Sequence, residues 1–347
     1  MRPRTIRGRL MRVARHFATG LLALCAAGAP FCAHAQCKYT RLGTVPAAWA
    51  GARLVADGSV NGTPMKMTVD TGATVTVISG AFAERMKLKL SHAYGDMVGV
   101  GGRSEPALAY LEQLSVGPFK WNRTTVVVAD VAASDLDDVL IGGNSLLQRD
   151  VEIDGKKLML YSASGCGDAA LAYWADDVPW VATEATTSED LRAVVTVRIN
   201  GHPVRALVDT GATGTIVDVS VARQLGVDPN DDSSRVGDTG GFGAHSVAAW
   251  TTTFDEIAIG PELVRHARVR VADLWAGIRN DYHYNSTARF VDEQPQMLLG
   301  ADFVRSHRLL FAGSQHRLYF SYTGGDVFRA PRPGAPASDA ESDGFDR

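Results

Sequence analysis

Five residues, Asp70-Thr71-Gly72-Ala73-Thr74, recur letter for letter at Asp209-Thr210-Gly211-Ala212-Thr213. The repeat extends upstream in register. Alternating apolar residues lead into each acid, Met65, Met67 and Val69 in one copy and Val204, Ala206 and Val208 in the other. Before each run stands a turn dipeptide, Asn61-Gly62 or Asn200-Gly201, at the same distance from its acid. Period-two alternation marks a half-buried strand, and Asn-Gly marks a tight hairpin turn. The chain is therefore two copies of one β unit. A carboxylate at the end of a buried strand is costly unless it is hydrogen-bonded, paired or used, so two acids in matched positions call for a chemical explanation.

The elements after the acids also correspond. Ala81 to Leu88 and Val221 to Leu225 read as short helices. Glycine-rich hairpin tips follow, Gly99-Val100-Gly101-Gly102 in the first copy and Gly240-Gly241-Phe242-Gly243 in the second. Val139-Leu140-Ile141-Gly142-Gly143 then precedes a helical stretch from Asn144 to Gln148. Met297-Leu298-Leu299-Gly300 likewise leads into a helical turn at Ala301, on which Arg305 and His307 read as surface residues. Many short strands, regular turn signals and few helices predict an all-β protein of two tandem β-barrel domains. Only two long copies occur, which argues against a solenoid. The predicted division is a domain over 36–165 whose first strand lies at Leu54, a linker over 166–190, a second domain over 191–326 and a disordered tail over 327–347. Ala172-Tyr173-Trp174 and Trp180 suggest that part of the linker packs.

Residues 1–35 stand apart. Arg2, Arg4, Arg7, Arg9, Arg12 and Arg15 occur with no acid, then an apolar segment runs from Phe17 to Ala27, then Ala33-His34-Ala35. This is the layout of a secretory signal peptide cleaved before Gln36, with Met11 as an alternative start. The apolar segment is short for a membrane anchor, and Gly28 and Pro30 follow it closely. Removing the signal lowers Lys+Arg from 35 to 29 against 38 acids, so the net charge moves from −3 to −9. Such an acidic chain lacks the basic patches that nucleic acid or an anionic membrane surface requires. Of four cysteines, Cys37 and Cys166 remain after cleavage. Export to an oxidising compartment favours a disulfide between them, with two free thiols as the alternative.

With the repeated strand-Asp-Thr-Gly-Ala, the glycine-rich tip and the apolar-apolar-Gly segment all in one order, the chain resembles the retropepsin-like aspartic peptidases. It is most similar to the secreted bacterial group carrying two such domains in one chain. The resemblance covers nearly everything from Cys37 to Phe328. It implies two barrels related by a pseudo-twofold axis, with Asp70 and Asp209 side by side as the catalytic pair around one water. Thr71 and Thr210 would hydrogen-bond across the axis and fix the loops, while Gly72 and Gly211 would turn closely beneath the carboxylates and offer an N–H to each. Ala73 and Ala212 are small enough for close approach, but they lack the hydroxyl of pepsin-like relatives. An activity optimum nearer neutral pH than a pepsin's is therefore expected. The two glycine tips would act as a pair of flaps, with Val100 and Phe242 covering an extended peptide substrate. No cofactor or metal is implied, and a monomer is expected, a dimer with two sites being the alternative.

Other readings have less to stand on. Asp-Thr-Gly is also good turn chemistry, but a turn would not need the same five residues twice with matched downstream elements. A third triplet, Asp238-Thr239-Gly240, follows polar residues and falls on the second tip, so it reads as flap sequence. The nine histidines show no paired helical spacing, and Asp228-Pro229-Asn230-Asp231-Asp232 lacks the glycine and distal glutamate of a calcium loop. No Gly-x-Ser-x-Gly elbow or Gly-x-Gly-x-x-Gly fingerprint appears. The rival from another class is an exported peptide-binding or scaffold module that keeps the fold without turnover.

Overall fold

A computed structural model describes residues 36–129, 138–228, 235–241, 245–279 and 293–328. The first half runs β1 (Lys38–Ala50), β2 (Arg53–Val60), β3 (Thr63–Val69), β4 (Val77–Ile78), α1 (Gly80–Arg85), β5 (Leu90–His92), β6 (Met97–Gly99), β7 (Gly102–Ser104), β8 (Ala107–Val116) and β9 (Phe119–Val128). It continues through β10 (Val139–Ile141), α2 (Gly143–Leu146), β11 (Asp150–Asp154) and β12 (Lys157–Ser164). The second runs β13 (Trp180–Ala182), β14 (Val194–Ile199), β15 (His202–Val208), β16 (Ile216–Asp218), α3 (Val219–Gln224), β17 (Arg235–Gly240), β18 (Ser246–Ile259) and β19 (Glu262–Ala272). It ends with α4 (Ala276–Arg279), β20 (Met297–Leu299), α5 (Ala301–Arg305), β21 (His307–Ala312) and β22 (Arg317–Tyr322).

Two closed six-stranded barrels result. The first follows the order β2-β3-β10-β4-β9-β8 and closes by pairing β8 with β2; the second follows β14-β15-β20-β16-β19-β18 and closes by pairing β18 with β14. Both therefore share one strand order. Each opens on its Asn-Gly hairpin, where Asn61 (φ 48°) and Asn200 (φ 48°) take the left-handed conformation that the turn requires. The asparagine side chains finish the corner alike, Asn61 accepting from the Gln113 N–H at 3.1 Å and Asn200 from that of Glu256 at 3.0 Å. The alternating residues fill the core as the pattern predicts, Met67, Val69, Val204, Ala206 and Val208 all being buried.

A further sheet draws on both halves, in the order β13-β22-β21-β11-β12-β1. Its junction pairs Val151 of β11 with Phe311 of β21. Beside it the buried Glu152 accepts from Tyr161 at 2.6 Å and from Arg308, a second-half residue, at 2.7 Å, so the charge is compensated across the junction. Cys37 and Cys166 are disulfide-bonded at one margin of this sheet. Trp180 opens β13, and Leu171 and Ala172 are buried, so much of the connecting stretch packs.

Two expectations need correction. The first strand is β1 at Lys38–Ala50, ahead of Leu54. Its polar residues concealed it, because it is an outer strand of the joint sheet that leaves many of them exposed while pairing with β12 far along the chain. His307 is not a surface residue. It is buried at the start of β21, bonded to the Phe303 carbonyl at 2.7 Å and to Glu262 at 3.0 Å. Arg305 is partly covered, its guanidinium lying over the Trp49 ring.

Candidate active site

Each acid stands just beyond a strand that pairs in parallel with a short partner, β3 with β10 and β15 with β20. The partners' backbones fix the acids in place, since Asp70 N–H donates to the Ile141 carbonyl at 3.0 Å and Asp209 N–H to that of Leu299 at 2.9 Å. Gly142 and Gly300 follow those strands. A Cβ on either would overlap backbone, Val75 in one half and Gly214 in the other, which accounts for the glycine in each apolar-apolar-Gly segment.

The two loops are interlocked by their threonines. Thr71 Oγ1 donates to the Val208 carbonyl at 2.8 Å and accepts from Thr210 N–H at 3.1 Å. Thr210 Oγ1 donates to the Val69 carbonyl at 2.6 Å and accepts from Thr71 N–H at 3.0 Å. Both threonines are buried, and the reciprocity of these bonds is the pseudo-twofold relation at atomic scale.

The interlock brings the carboxyl groups of Asp70 and Asp209 into hydrogen-bonding contact. Asp70 Oδ1 accepts from Gly72 N–H at 2.8 Å and Ala73 N–H at 2.9 Å; Asp209 Oδ1 accepts from Gly211 N–H at 2.8 Å and Ala212 N–H at 3.1 Å. The alanine N–H groups are ligands that sequence reasoning missed. Gly72 lies under the opposite acid, so that a Cβ there would overlap the Asp209 carboxylate, and Gly211 stands in the same relation to Asp70.

Burial, and then the facing charge of Asp209, hold the Asp70 proton well above the usual carboxylate range. Burial also raises Asp209, opposed by its two N–H donors, by its bond from Asp70 and by the positive charge of Arg192. Both carboxyls are thus raised, and the pair retains a proton that belongs to the two together.

A cleft opens above the acids. Its lining includes Arg53 and Arg192, whose side chains sequence reasoning overlooked. Arg192 pairs with Asp190 through Nε at 2.9 Å and Nη2 at 2.6 Å. The signal was available, since these arginines precede their acids by the same number of residues in each copy.

Gly99 and Val100 of the first tip line the cleft, as do Gly240 and Gly241 of the second. Gly101 O accepts from His245 N–H at 3.0 Å, so the two tips touch. Gly102 opens β7 on the returning arm of the first hairpin. Phe242 and Gly243 lie outside the described residues. Asp238 lies exposed on β17 and pairs with Arg235 at 2.7 Å, while Thr239 lines the cleft from above. Among the described residues no group of three His, Cys, Asp or Glu side chains could hold a metal ion. Among them, too, no helix is long and apolar enough to cross a membrane.

The aspartyl protease family matches residues 56–145 and 195–303, one stretch in each copy. A retropepsin-like aspartic protease from Rickettsia conorii is among the solved structures that match, with 24% identity, 37% of this chain and 95% of that chain covered, and a TM-score of 0.27. No curated protein matches the chain. The two family stretches span more than half of the sequence and carry both Asp-Thr-Gly-Ala loops, and the chain belongs to the aspartyl protease family.

Proposed function

We propose that the protein is an exported aspartic endopeptidase whose single active site is built from both halves of one chain. The observation that carries this reading is the contact between the Asp70 and Asp209 carboxyls at the floor of the cleft, each held by two loop N–H groups. The ionised member of the pair takes a proton from the attacking water. The protonated member donates its proton to the scissile carbonyl oxygen, giving a neutral tetrahedral diol. Collapse of the diol breaks the C–N bond: the member that took the water proton gives it to the amine nitrogen while the other takes a proton from one diol hydroxyl, leaving amine and carboxylic acid and returning the pair to its single proton. Thr71, Gly72, Ala73, Thr210, Gly211 and Ala212 position the acids, and the two tips cover an extended peptide.

In this reading 36–165 and 191–326 each supply one acid, 166–190 joins them, and 327–347 is a tail. The interlocked threonines support a site completed within one chain rather than between two. The basic-then-apolar segment before Gln36 and the Cys37–Cys166 bond support a periplasmic or secreted location. The test is turnover of an unfolded protein by purified chain beginning at Gln36, beside Asp70→Asn and Asp209→Asn. Loss of activity in both variants is expected. Retention of about half in either, the outcome for two independent sites, or no turnover by the unaltered chain, would overturn the reading. N-terminal sequencing of the exported protein, expected to begin at Gln36, checks the location.

A further inference from the structure

The two halves share strand order and acid geometry but not the walls beside the acids. Thr68 and Leu207 occupy equivalent positions in the two copies, as do Val77 and Ile216, and all four line the cleft. At these two positions the second half carries the bulkier and more apolar side chains. It also has a longer connection between the equivalent strands, residues 273–296 between β19 and β20 against 129–138 between β9 and β10. The longer segment places Trp275 in the cleft lining, whereas the sequence of 129–138 contains no aromatic residue.

Trp275 is fixed in orientation. Its indole N–H donates to the Pro295 carbonyl at 3.0 Å, and its ring packs in an apolar cluster with Leu207, Ile216 and Leu274 that is separate from the main core. The same segment meets the flap of the opposite half, for a Cβ added at Gly277 of α4 would lie 2.7 Å from the Gly102 Cα.

Resting on the peptidase reading, we infer that the subsites on either side of the scissile bond are unlike. The second-half subsite, walled by Trp275, Leu207 and Ile216, selects an aromatic or large aliphatic side chain. The first-half subsite, walled by Thr68 and Val77, is less demanding. Cleavage is therefore directional, with one neighbour of the scissile bond chosen strictly and the other loosely.

The test uses two non-cleavable reduced-amide peptides that differ only in order, one with Phe before and Ala after the reduced bond, the other reversed. Binding is measured by calorimetry. The unaltered protein is expected to prefer one isomer by about fivefold to tenfold, the worth of one aromatic contact. Trp275→Ala should bring the ratio close to one, and Ile216→Val, a one-carbon change that leaves the core intact, should lower it about threefold. Val77→Ile should also lower the ratio, by making the first subsite more like the second. Equal binding of the isomers, absence of binding, or a ratio unmoved by both Trp275→Ala and Ile216→Val would overturn the inference. Cleavage of the parent amides is followed in parallel. A preserved binding preference without cleavage would sink the peptidase reading while leaving the unlike subsites standing.

Discussion

Thr71→Val keeps the shape of the side chain and removes only its hydroxyl, which makes it a direct probe of the interlock between the loops. In the folded protein that hydroxyl donates to Val208 O at 2.8 Å and accepts from Thr210 N–H at 3.1 Å, both in buried surroundings. The substitution leaves a buried carbonyl and a buried N–H without these partners. Each such orphan costs about 1–3 kcal/mol, so the pair is expected to cost about 2–6 kcal/mol, a large share of the roughly 5–15 kcal/mol that holds a typical protein folded. In urea, with a slope of about 3 kcal/mol/M, the unfolding midpoint should fall by about 0.7–2 M. Thr71→Ser is the control, since it keeps both bonds and gives up one methyl group worth about 0.8 kcal/mol. Combining Thr71→Val with Thr210→Val should cost less than the sum, by about 1 kcal/mol or more, because the first substitution already loosens the loop that the second would release. If Thr71→Val proved no less stable than Thr71→Ser, the threonines would not be the fastening that the geometry describes.

Gly72→Ala places a Cβ against the Asp209 carboxylate, so it should abolish turnover and cost about 3 kcal/mol or more by melting, whereas Ala73→Gly at the next position should be tolerated far better. The shared proton has a measurable consequence for stability. Because burial and Asp209 raise Asp70, the folded pair keeps a proton that the unfolded chain gives up above about pH 4, so this contribution to stability is lost as pH rises through the raised pKa. Asp70→Asn should therefore gain in melting temperature relative to the unaltered protein between about pH 4 and pH 7, and a constant difference would contradict the assignment. Ala73→Ser with Ala212→Ser supplies each ionised acid with a further donor, so the acid limb of the pH–rate profile should move down by up to about one unit, from a starting optimum nearer neutrality than a pepsin's. An unaltered enzyme peaking near pH ~2 would refute that reasoning. Replacing Cys37 and Cys166 by alanine opens a link between residues 129 apart in sequence and should cost about 2–5 kcal/mol, read as a lower melting temperature under non-reducing conditions.

What the sequence revealed was whatever depends on near neighbours or on repetition. The Asn-Gly turns, the alternation into Asp70 and Asp209 and the apolar-apolar-Gly segments are local patterns, and their recurrence separated them from chance. Asp238-Thr239-Gly240 has the same letters without that context, and it lies on β17, the strand leading to the second glycine-rich tip. What stayed hidden depends on distant partners. β1 is held by β12, with Lys38 opposite Ser164, and nothing near Lys38 announces that pairing. His307 is buried among Phe303, Phe320 and Tyr322, and its ring is paired by Glu262 from another strand. Trp275 is an ordinary apolar residue in sequence, and only the closing of the second barrel turns it toward the cleft. Arg53 and Arg192 were legible in principle, through the same repeat that exposed the acids.

The sheet shared by the two halves makes the site depend on the last strands of the chain. β11 is complete early, yet its partner β21 begins only at His307, and β22 follows it. Until those last strands are in place, β11 presents an unpaired edge, and the threonine interlock stands without the joint sheet behind it. Pairings so distant along the chain are slow to form, because the entropy of closing a long loop is met before the contacts reward it. A chain halted before His307 would carry both acids and both interlocking threonines but not the sheet that joins the two halves, so lasting assembly of the pair rests on its final two strands.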